Sequence, residues 1–95
     1  MFFVYIIYSK SIDKYYIGQT ENFETRIAEH NSGFYANSFT SQVNDWFLFY
    51  LINCDSKTQA IKIEAHIKRM KSRKYIESIA RYSDIEEKLR ILYSD

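Results

Sequence analysis

Phe2–Ser9 (FFVYIIYS) carries β-branched and aromatic side chains at odd and even positions alike. Successive strand residues point to opposite faces, so this segment reads as a strand buried on both of them. A chain of 95 residues hides only about 60–65% of its unfolded surface. Nine Tyr, seven Phe and one Trp supply bulk to fill a small core. With no Pro and no low-complexity run, nothing marks a linker, and a single domain over residues 1–95 is expected, with its core at about 2–80 and a last helix at 83–93.

Lys10–Lys14 is polar and Tyr15–Gln19 (YYIGQ) resumes strand chemistry, which predicts an antiparallel hairpin. Gly18 inside that strand points to a bulge or to close backbone approach by another group. Thr20–Asn31 reads as a helix, capped by Asn22 or Thr20 and followed by Gly33. Gly33–Asp45 reads as a loop and Trp46–Asn53 as a third strand. Ser56 with Gln59 makes a capping-box pattern for a helix to about Lys71, with Ile63, Ile67 and Met70 inward. A short helix over Lys74–Arg81 follows. Ser83 with Glu86 opens a last one, with Ile85, Leu89 and Leu92 inward. The order ββαβααα is an α+β fold: a small three-stranded antiparallel sheet flanked by helices.

Several functions are excluded at this level. Cys54 alone forms no intrachain disulfide and has no evident base partner; it reads as a core residue in a reducing, cytoplasmic protein. The longest apolar run, Trp46–Ile52, is too short for a membrane span, and Met1–Tyr8 lacks the flanks of a signal peptide. Two glycines leave no room for a nucleotide-binding loop, so no small organic cofactor is expected.

Net charge is only +1, but residues 55–81 carry eight basic and three acidic side chains. A local basic segment is compatible with phosphate contact, although basic helix faces are usually just solvated. Glu64 is the sole acid between Ser56 and Ile76. It reads either as an i,i+4 partner of Lys68 or as a divalent-metal ligand among phosphate-binding cations. Arg26 and His30 are one helical turn apart and share a face. Tyr5 and Tyr16 lie on the two hairpin strands, which brings them near each other if they are not plain sheet aromatics.

Val4-Tyr5-Ile6, the run YIGQTENFETRIAEHNSG with Tyr16, Arg26 and His30, and AIKIEAHIKRMKSRK with Glu64 together resemble the GIY-YIG nuclease family, over about residues 2–80. The resemblance is to the small stand-alone bacterial members and to the N-terminal domain of the excision-repair incision subunit. It implies a metal-dependent endonuclease that hydrolyses DNA phosphodiester bonds, structure-specific and related to repair. Glu64 would hold a single Mg²⁺ or Mn²⁺, Arg26 would meet the scissile phosphate, and Tyr5 with Tyr16 and His30 would position or deprotonate water. Lys68, Lys71 and Lys74 would contact nucleic acid. The first motif here is Phe3-Val4-Tyr5 rather than Gly-Ile-Tyr, and the Asn some members carry after the metal helix has no counterpart at Ile76–Ile79. Two other functions compete: a nucleic-acid-binding module without catalysis, and a protein-interaction domain that uses Phe34, Tyr35 and Phe39.

Overall fold

The computed structural model describes residues 1–94. Three strands, β1 (Phe2–Ser9), β2 (Lys14–Thr20) and β3 (Phe47–Cys54), form one antiparallel sheet in the order β2-β1-β3. Four helices follow the expected order: α1 (Phe23–Ser32), α2 (Lys57–Met70), α3 (Arg73–Arg81) and α4 (Ser83–Leu92). The central position of β1 is the physical outcome of its double-sided apolar pattern. Val4 and Ile6 pack with Ile17 and Ile52 against Ile63 and Ile67 of α2 and Ile79 of α3. Tyr5 and Ile7 pack on the other face with Trp46, against Phe23 and Ile27 of α1. The sheet is therefore covered on both sides.

Pairing puts Tyr5 opposite Gly18 and Ile7 opposite Tyr16, so all four share the α1 face. No irregularity falls at Gly18; the one register shift lies between Ile6 and Ile7 in the pairing with β3. What Gly18 provides is space. A methyl there would sit 2.8 Å from Tyr5 Cε1, and closer still to Cζ and Oη.

Several local expectations change. Thr20 ends β2, and Asn22 caps α1 by accepting from the Thr25 amide at 3.1 Å. Near the other end Asn31, where the helix is expected to stop, donates its carboxamide to the Trp46 carbonyl at 2.8 Å and accepts from the Trp46 amide at 2.7 Å, tying α1 to the start of β3. Gly33 does end α1, at φ 77°. Met70 and Leu92 lie at helix C-termini beyond the reach of the core and are exposed. Ser83 with Glu86 forms no capping box. Tyr82 is the N-cap, without a side-chain bond, and Glu86 instead takes Tyr50 and Arg90. Cys54 is buried, and burial pushes its thiol up to about 11, which keeps it protonated and unreactive at neutral pH.

Lys71 ends α2 in the left-handed conformation, at φ 46°. A side chain there costs about 1–2 kcal/mol that glycine escapes, while a cation at a helix C-terminus returns about 0.3–1 kcal/mol. Lys71→Gly is therefore expected to stabilise the fold by about 0.5–1 kcal/mol, read as a higher urea midpoint with an unchanged slope.

Candidate active site

Four of the five residues singled out by sequence meet on the α1 face. The Tyr5 hydroxyl, seated over Gly18, lies 2.9 Å from His30 Nε2. His30 Nδ1 is 2.6 Å from Thr40 Oγ1, which is 3.1 Å from Ser38 Oγ. Tyr5, His30 and Thr40 are all nearly inaccessible to solvent. The Tyr16 ring meets the His30 ring edge-on at 5.1 Å. Arg26, one turn before His30, is 3.7 Å from Glu29 and stands 5.7 Å from the centre of the Tyr35 ring.

Electrostatics assign a protonation state to the pair. Burial, helped by neighbouring Tyr16, pushes the Tyr5 hydroxyl well above the ordinary tyrosine value of 10.0; Arg26 pulls the other way without prevailing. Burial and the Arg26 charge hold His30 below 6.5, although Glu29 opposes them. At neutral pH the site holds an un-ionised phenol against a neutral imidazole.

Glu64 stands apart from this cluster, on α2, which packs on the other face of the sheet. Lys68 connects the two. Its ammonium is 2.6 Å from Glu64 Oε2 and 5.7 Å from the centre of the Tyr16 ring, reaching around the β2 edge. The i,i+4 pair therefore forms, and it is Lys68 rather than Glu64 that comes near Tyr16. Among the described residues no group of three or more His, Cys, Asp or Glu side chains converges. One half-buried carboxylate suits a hard cation of the Mg²⁺ type, which commonly binds through one or two carboxylates with water and phosphate oxygens. Lys68 and Lys71 line one cleft, whereas Lys74 lines a separate depression with Glu77, Ser78, Arg81 and Tyr82.

A family model of the GIY-YIG catalytic domain matches residues 1–76. The chain belongs to the GIY-YIG family. A UPF0213 protein from Syntrophus aciditrophicus (strain SB) is 42% identical over 55 residues, covering 58% of this chain and 63% of that protein. The chain thus spans less than two thirds of the relative it matches. No solved structure matches it. The GIY-YIG match takes in Tyr5, Tyr16, Arg26 and His30, on β1, β2 and α1. It gave no warning of Thr40, Tyr35 or Glu29. Thr40 lies in a four-residue 3-10 turn, Phe39–Gln42, inside the segment expected to be loop. Its buried carbonyl accepts from Trp46 Nε1 at 2.9 Å, which pins the turn over His30. Tyr35 donates its hydroxyl to Glu29 at 2.7 Å and packs its ring 4.9 Å from His30. Of the aromatics expected to be free for a partner, Phe34 and Phe39 are exposed but Tyr35 is folded onto the site.

Proposed function

We propose that this protein is a metal-dependent endonuclease that hydrolyses DNA phosphodiester bonds, with Tyr5, Tyr16, Arg26, His30 and Glu64 as its working residues. The observation that carries the reading is the buried contact of Tyr5 with a neutral His30 inside a nuclease-family fold. Tyrosinate at neutral pH costs about 4 kcal/mol even in water, and burial here adds to that. Tyr5 therefore works as a neutral relay. With its single proton on Nδ1 and given to Thr40, His30 accepts the Tyr5 proton at Nε2 as Tyr5 Oη takes one from water. The hydroxide formed attacks phosphorus, the bond to the leaving oxygen breaks, and solvent protonates that oxygen. Arg26 meets the scissile phosphate and offsets the charge that grows on it. Tyr16 fills the wall beside His30 and fixes the direction from which water approaches.

Glu64 is the residue to hold Mg²⁺ or Mn²⁺, which when bound supplies Lewis-acid stabilisation of the leaving oxygen. Labelled single-stranded, duplex, nicked, flapped and branched DNA, incubated with Mg²⁺ or Mn²⁺ and with EDTA, tests the reading. Metal-dependent cutting by wild type, lost in Glu64→Ala, is the expected result. DNA binding without cutting would overturn it in favour of a binding module.

A further inference from the structure

A cleft of about 370 Å³ opens along the β2 edge, lined in part by Tyr16, whose ring also meets His30. Buried Ile17, Ile67 and Ile76 form its floor, and Lys14, Lys68, Lys71 and Arg73 stand around it with one acid, Asp13. Arg73 and the Tyr8 hydroxyl both engage the Asp13 carboxylate, and Arg73 also covers the Tyr15 ring at 5.2 Å. Arg73, which also pairs with Glu77 at 3.6 Å, is thereby engaged by both acids and offsets the Asp13 charge. Lys14 and Lys71 form no ion pair among the described residues. Lys71 moreover occupies a left-handed position where glycine would be less strained. The volume is near the lower end of small-ligand pockets, too small for a duplex but ample for one backbone group of a strand. Tyr16 and Lys68 line the cleft and also face the site already described, through His30 and Glu64 respectively.

We propose that this cleft binds a backbone phosphate of the nucleic-acid strand flanking the scissile one, held by Lys71 and Lys14 with Lys68 between them and Glu64. The inference rests on the nuclease reading and adds to it the path of the strand, along the β2 edge past Tyr16. Glycine suits the Lys71 backbone, so Lys71→Gly removes the cation without loss of fold.

The test is fluorescence anisotropy of a short labelled DNA duplex in EDTA, titrated with protein across a range of KCl concentrations. One lost phosphate contact lowers the slope of log K against log salt by about 0.9, which is about 5–10-fold in affinity at about 0.1 M salt. Lys71→Gly and Lys14→Ala are each expected to show both changes. Lys71→Arg keeps the wild-type slope, and Lys88→Ala, at an exposed position of α4, alters neither quantity. Unchanged affinity and slope in Lys71→Gly and Lys14→Ala, with wild type still binding and cutting DNA, would overturn the phosphate site alone. A wild type that neither binds nor cuts would overturn the nuclease reading and the cleft with it.

Discussion

Replacing Gly18 by alanine is expected to cost the fold about 1–3 kcal/mol and to reduce DNA cleavage about 100-fold or more. The backbone at Gly18 is ordinary strand without positive φ, so the penalty is purely one of space. The added methyl collides with the far half of the Tyr5 ring. A flexible side chain on the surface would swing aside, but Tyr5 is 1% exposed and its hydroxyl is bound to His30. Relief requires the ring to move, which breaks that contact, or the β1–β2 pairing to shift, which disturbs the Tyr5–Gly18 and Ile7–Tyr16 register. Urea unfolding measures the first effect. Single-turnover cleavage well below the unfolding midpoint measures the second, so that lost activity is not lost protein. Cleavage at the wild-type rate would show that the seating of Tyr5 over Gly18 has no part in the chemistry.

The second large effect is on pH. His30 sits below its unfolded value of 6.5, held there by burial and by Arg26. In the window between its folded value and 6.5 the unfolded chain binds the proton more readily, so stability rises with pH there and is fully present above 6.5. It is lost as pH falls below 6.5 toward the folded value. On the proposed mechanism cleavage shares the direction, because only neutral His30 would take the Tyr5 proton. Urea midpoints and single-turnover rates between about pH 5 and 8 are expected to fall together on the acid side. His30→Gln keeps polar contacts to Tyr5 and Thr40 but does not titrate. It should flatten the stability profile in this window while leaving cleavage low throughout. A midpoint profile of wild type that matches the His30→Gln profile would remove His30 as the titrating group.

Much of this protein was legible in the chain because local chemistry and tertiary environment agree. Apolar residues on both parities of Phe2–Ser9 left β1 no place but the middle of a covered sheet. Asn22 and Ser56 announced helix starts because a cap acts on amides two or three residues away, within sequence range. Tyr16, Gly18, Arg26 and His30 fell in one short run, so their order along β2 and α1 could be read together. Local signals failed where a distant partner outbid the local one. Ser83 and Glu86 look like a capping pair, yet Glu86 is taken by Tyr50, 36 residues away. Asn31 looks like a helix end and instead clamps Trp46.

Sequence alone determined which candidate side chains stand on which elements, since a phenol, an imidazole, a guanidinium and a carboxylate are fixed by composition and order. Only the tertiary structure decided their states and their company. The neutral forms of Tyr5 and His30 follow from burial, which depends on Thr40 and Tyr35 closing over them from a segment that carries no periodic signal, pinned there by Trp46. The meeting of Lys14 with Lys68 and Lys71 likewise joins residues more than fifty positions apart. Burial and convergence are sums over contacts distant in the chain, and no local pattern contains them.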